Sequence, residues 1–181
     1  MKPTSLFEQV LGDSYSRLPC AVQRFHRLSG HRVLHGWVET RAPATRGARV
    51  LAAALGTPRG ASRGPIRFEL TAQTALETWT RHFPSQTMTS RLRPVRGRIE
   101  EHLGAARLTF QLVASRDGLS MQLIGLRFLG LPCPAWMMPR VVAEEHGDAD
   151  RLHFHITADL PLVGRVAGYQ GHLELRPEES A

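Results

Sequence analysis

Residues 77–83, Glu-Thr-Trp-Thr-Arg-His-Phe, alternate as a β-strand does, and the alternation puts Arg81 on the same face as Trp79 and Phe83. A guanidinium that shares a face with two large rings either sits inside the protein or covers apolar surface with its stem. The same parity argument places Glu101 with Ile99 and Leu103, and Arg127 with Met121 and Leu123. It places Glu145 with Val141 and Ala143, and Tyr169 with Gly171 and Leu173. If apolar faces are interior faces, Trp79, Arg81, Glu101, Arg127, Glu145 and Tyr169 form an inward set and are the candidate ligand-binding residues. Two carboxylates and two guanidinium groups can compensate one another as a structural ion-pair network, which is the plainer expectation because an isolated buried charge is costly. On the wall of a cavity, the same groups can hold an anionic or carbonyl-bearing ligand through bidentate arginine contacts. A carboxylate without a full partner would titrate high and serve as a general base, which makes Glu101 and Glu145 the catalytic candidates.

Other residue types point less far. His153 and His155 form an HxH pair, with His146 and His172 on neighbouring strand-like segments, and alternate strand residues can converge on one metal ion. Both lie opposite Leu152, Phe154 and Ile156, on a polar face without acidic or cysteine ligands at a metal-site spacing, so no metal is expected. Glu100 and His102 occupy the face opposite Glu101. His26 reads as a helix-face histidine that borders the core. Ser90, Cys20 and Cys133 are possible nucleophiles, but no GxSxG elbow or cysteine signature surrounds them. The segment GTPRGASRG lacks the lysine and the strand-to-helix context of a phosphate loop.

The elements that must position these residues come from a chain of 181 residues with 42% hydrophobic content, the size of one domain able to bury a core. Two short helices are predicted within the first 30 residues, the first capped by Thr4 or Ser5 and ended by Gly12, the second started near Pro19 and closed by Gly30. From residue 31 to 176 period two dominates, apart from a helical turn or two around residues 46–55, the loop TPRGASRGP, and LGLPCPAWMMPR, whose prolines exclude a central strand. Residues 177–181 read as a frayed tail. Short strands joined by turns and preceded by helices predict an α+β, predominantly antiparallel β fold: a strongly bent sheet or barrel, lipocalin-like or START-like, of the kind that encloses an apolar cavity.

Cys20 and Cys133 follow no zinc spacing and read as free thiols, which fits a reducing compartment. The N-terminus lacks a secretory pattern and no apolar run is long enough to span a membrane, so a soluble cytoplasmic protein is expected. The formal charge is +7, carried by 22 arginines and one lysine. The arginines are scattered, and no zinc finger, helix-turn-helix or stacking strip accompanies them, which argues against nucleic acid as partner.

The segments LFEQVLGDSYSRLP, WTRHF, LRFLGLPCPAWMMPR and PLVGRVAGYQGHL together resemble the bacterial family known as domain of unknown function 4166. The resemblance runs from about Leu6 to Leu173. It matches an early Leu11-Gly12-Asp13 with Leu18-Pro19, the strand Trp79-x-Arg81-x-Phe83, the run Leu129-Gly130-Leu131-Pro132-x-Pro134, and Tyr169-x-Gly171. Glu101 and Glu145 fall on acidic positions of the pattern, whereas Leu103 replaces an aromatic before Gly104. The resemblance implies no activity. Members occur alone or behind a reductase-like nucleotide-binding domain, and this chain carries no GxGxxG of its own, so a reductase partner follows by association only.

The function expected is non-covalent binding of a small apolar or amphipathic molecule in a cavity of the bent sheet, with no cofactor. One alternative is a cofactor-independent isomerase, cyclase or lyase with a buried carboxylate as base. Another is a module that docks a nucleotide-dependent reductase or an anionic surface through its arginines.

Overall fold

The structure is a computed structural model that describes residues 5–175; the tail expected at 177–181 lies outside the described residues. Ser5 caps helix α1 (Leu6–Leu11) through a reciprocal bond with Glu8, and Gly12, at φ 53, ends it and leads into a 3-10 turn. Pro19 precedes α2 (Cys20–His26), where its missing N–H costs nothing. The second helix ends earlier than Gly30 suggested, because Gly30 already opens the first strand.

The strands follow in chain order: β1 (Gly30–Thr40), β2 (Ser62–Gln73), β3 (Leu76–His82), β4 (Thr87–Val95), β5 (Arg98–Leu103), β6 (Ala106–Ala114) and β7 (Leu119–Phe128). After a two-residue β8 (Leu131–Pro132) come β9 (Arg140–Asp148), β10 (Arg151–Leu160) and β11 (Gly164–Glu174). Helix α3 (Arg46–Leu55), longer than the one or two turns expected, lies between β1 and β2. All strand pairs are antiparallel, in the order β6-β5-β4-β3-β2-β1-β11-β10-β9-β7-β8. The additional β6–β7 pairing closes the sheet into a barrel. The expected mixed fold with N-terminal helices and a barrel is therefore the fold observed.

Pro65 and Pro94 lie within strands, at places where only one neighbour needs their missing N–H. Pro65 pairs with Trp37 of β1 before β3 joins β2 at Arg67, and Pro94 pairs with Ile99 beyond the end of the β3–β4 ladder at Leu92. The closure has one weak seam, since β7 and β9 pair only at Leu119↔Glu145 and Ser120↔Glu144. The segment 129–139 folds back on the other end of β7, where β8 pairs with Arg127 and Phe128, and continues as a 3-10 turn, Ala135–Met137, consistent with the expected extended crossing or short helix.

The barrel has two unlike ends. Helices α1 and α2 plug one end with Leu6, Phe7, Val22 and Phe25, all fully or nearly fully buried. At the other end, α3 rests on the β5–β6 turn, where Ala105 N–H donates to Ala54 O at 3.1 Å, and on the β10–β11 turn, where the Thr45 hydroxyl donates to Val163 O at 2.8 Å. Leu129 N–H in turn donates to Ala105 O at 2.9 Å, so α3, the two turns and segment 129–139 form one continuous rim. Among the described residues, no helix is long and apolar enough to cross a membrane.

Candidate functional site

Inside the barrel is a cavity of ≈ 360 Å³ whose wall is overwhelmingly apolar, running from Phe25 at the plug to Leu51, Leu55, Met137 and Val163 at the rim. Its few polar contributors include Arg81, Glu101, Glu145 and Tyr169. Trp79 lies in the same wall, so five of the six sequence-selected residues meet in one place.

Arg127 does not join them. The β6–β7 ladder slips between Thr109↔Gly125 and Phe110↔Leu123, which leaves Ile124 as an extra residue on β7. That bulge inverts the parity of everything after it. Leu126 and Phe128 therefore face the cavity, while Arg127 is exposed on the outer face opposite Arg107. The sequence signal was present: residues 119–129 carry apolar side chains at both parities, as a strand with an internal phase change must.

Arg81 is 8% exposed, and its Nη1 donates one hydrogen bond, to Ser90 Oγ at 3.2 Å on the neighbouring β4. Its guanidinium carbon lies 5.0 Å from the centre of the Trp79 ring and 5.6 Å from that of Phe68. Cation–π contacts of this kind contribute roughly 1–2 kcal/mol each when desolvated, less than the several kcal/mol that burying an ion costs. Among the described residues no carboxylate stands at ion-pair distance from Arg81, so the expected Arg and Glu network is not what accommodates it. The Tyr169 ring packs edge-on against Phe83 at 5.3 Å, and its hydroxyl has no hydrogen-bond partner among the described residues. Burial pushes that phenol above its ordinary range; the Arg81 charge opposes the shift, and Glu101 and Glu145 add to it.

Glu145 has another partner. His26 Nε2 lies 2.6 Å from its Oε2, within hydrogen-bond distance. Phe7 covers the imidazole at 3.7 Å between ring centres, and the buried His26 Nδ1 has no hydrogen-bond partner among the described residues. Next to this pair is Glu77, whose Oε2 accepts from Trp79 Nε1 at 2.9 Å. Burial pushes Glu77 above the ordinary carboxylate range and the Glu145 charge adds to this, while His26 and the indole bond pull it back. The sequence reading missed His26 and Glu77 as members of the interior cluster. Glu77 has the parity of Trp79, Arg81 and Phe83, which was enough to find it. His26 needed the fold, because only the docking of α2 brings it to β9.

On the exterior, Glu100 accepts from Arg93 Nε at 2.8 Å and lies 3.0 Å from His102 Nε2. Burial alone would raise its pKa, but these hydrogen bonds hold it below the ordinary range. The β-ladders place His146, His153 and His172 side by side on three strands. His153 bonds Asp148 at 2.9 Å and His146 contacts Asp117 O at 2.8 Å. Among the described residues, no group of three or more His, Cys, Asp or Glu is arranged to hold a metal ion. Cys20 and Cys133 are free thiols.

A comparison with curated proteins finds no match. A solved structure of Rv2717c from M. tuberculosis is similar at 12% identity and a TM-score of 0.47, over 88% of this chain and 99% of that one. Residues 18–173, which span the barrel and every residue of the interior cluster, match the family described as Domain of unknown function (DUF4166), and the chain belongs to that family.

Proposed function

We propose that the barrel binds, without covalent chemistry, a small apolar or amphipathic molecule that carries a carboxylate or carbonyl head. One observation carries this reading: Arg81 is a buried cation on the wall of an apolar cavity and has no counter-ion among the described residues. A carboxylate held there would supply the missing charge through two parallel hydrogen bonds, and the free Tyr169 hydroxyl would add a third. The apolar lining would take the body of the ligand, and the volume lies toward the small end of ordinary ligand pockets.

The test pairs ligands that differ only in the head. Medium-chain and isoprenoid carboxylic acids should bind in native mass spectrometry and raise the melting temperature, while the matching alcohols should bind about tenfold or more weakly. Arg81→Met keeps the apolar stem and should erase that preference. The same substitution should leave the ligand-free protein as stable as before or slightly more stable, because it removes an uncompensated charge. Equal binding of acids and alcohols, or an Arg81→Met protein destabilised by several kcal/mol, would count against the reading.

A second reading rests on Glu145, which reaches the cavity while His26 holds it from behind, an arrangement suited to a positioned general base in an isomerase, cyclase or lyase. Of the two carboxylates expected as candidates, Glu145 is the one with an orienting partner. Glu145→Gln should then abolish proton exchange into a bound ketone ligand followed by NMR while leaving binding intact.

A further inference from the structure

We infer that the open rim of the barrel is a docking face for an anionic lipid bilayer. The five most exposed large apolar side chains of the described residues, Val50, Leu129, Leu131, Trp136 and Leu162, are each 69% to 97% exposed. They come from three separate parts of the chain, yet all belong to α3, segment 129–139 and the β10–β11 turn, the segments that the Thr45–Val163, Ala105–Ala54 and Leu129–Ala105 hydrogen bonds join into one rim. Scattered surface leucines need no explanation, but apolar residues gathered at one end mark an interaction face.

Charge chooses the occupant. The rim segments 41–61, 104–107, 126–140 and 161–165 contain eight arginines and no aspartate or glutamate; the acidic residues beside them are Asp159, the ladder neighbour of Arg140 and Arg165, and Glu100, 3.8 Å from Arg107. The plugged end is mixed in sign, with Glu8 bound to Arg27 and Asp150 bound to Arg24. The arginines are thus not uniformly distributed: they outnumber acidic residues at the end that carries the exposed apolar side chains. Aliphatic side chains and an indole that enter the headgroup region, flanked by guanidiniums that meet lipid phosphates, are what an anionic membrane surface selects. Trp136 sits in the 3-10 turn Ala135–Met137, between Pro134 and Pro139, so its backbone is pre-set and loses little freedom on insertion. Docking of this kind does not depend on what the cavity holds.

The experiment uses the whole chain with phosphatidylcholine vesicles, with and without phosphatidylglycerol. In a Trp37→Phe background, where the buried Trp79 adds a constant emission, the Trp136 component should shift blue and be quenched by brominated lipid only when phosphatidylglycerol is present, and binding should weaken steeply as salt rises. Arg46→Glu with Arg49→Glu should weaken vesicle affinity by about tenfold or more. Leu131→Ser with Trp136→Ser should remove binding. Each variant is checked for unchanged circular dichroism, which is expected because these side chains are exposed. Equal loss in a control that reverses Arg32 and Arg91 on the barrel wall would show only a net-charge effect and overturn the proposal. So would retention of binding by the Leu131/Trp136 double variant, or sedimentation showing that the rim instead pairs two copies of the chain.

Discussion

Arg81 gives up solvent for a place above two aromatic rings, and its neighbours show how the barrel tolerates interior charge. Glu145 is met by His26, Glu77 by the Trp79 indole, and Arg81 by π-faces and a single hydroxyl. Removing the imidazole leaves Glu145 buried and uncompensated, so His26→Ala should cost about 3–5 kcal/mol in denaturant unfolding. Glu77 behaves in the opposite sense. Burial raises its pKa in the folded protein, so its contribution to stability is fully present below the ordinary glutamate range and is lost as pH rises through the raised folded value. Glu77→Gln keeps an acceptor for the indole and should therefore be more stable than the parent at neutral pH, by about 1 kcal/mol or more. The advantage should vanish near pH 4, and melting curves across that range decide it. Parity alone made Trp79, Arg81, Glu101, Glu145 and Tyr169 legible as interior residues, because a strand side chain has only two directions to choose from.

At the scale of elements, the errors and the successes share a cause. Arg127 was assigned inward by counting in twos, and one bulged residue at Ile124 reversed the count. Gly171, half of the Tyr-x-Gly motif, has a physical reason to stay glycine: a Cβ there would come within 2.1 Å of the Trp37 carbonyl oxygen on β1. Across the same ladder a Cβ on Gly36 would meet the His172 carbonyl oxygen at 1.9 Å, so β1 and β11 approach closely where the barrel wall curves. Gly171→Ala must push the strands apart and should cost about 2–4 kcal/mol, read as a fall in denaturation midpoint with an unchanged slope. The β7–β9 seam makes a different prediction. Amides of residues 140–143 that point away from β10 have no β7 partner and should exchange with solvent faster than those of β1, and a bound cavity ligand should slow them.

For the molecule as a whole, alternation and turn spacing in the sequence were sufficient for a bent antiparallel sheet with helices before it. The sign of the net charge was equally plain from residue types. Period two also supplied most of the interior polar set, because burying one face of a strand is a local constraint written along the chain. Whether those charges would neutralise one another was not a local matter. The closure of β6 onto β7, the docking of α2 against β9 and the bulge on β7 together put His26 on Glu145, sent Arg127 outside and left Arg81, at the edge of an apolar cavity, without a counter-ion among the described residues. The arginines that looked scattered in sequence were likewise gathered only when four distant segments met at one barrel end. A side chain's face follows from its own strand, whereas its partner follows from which strands and helices come together, and only the tertiary structure decides that.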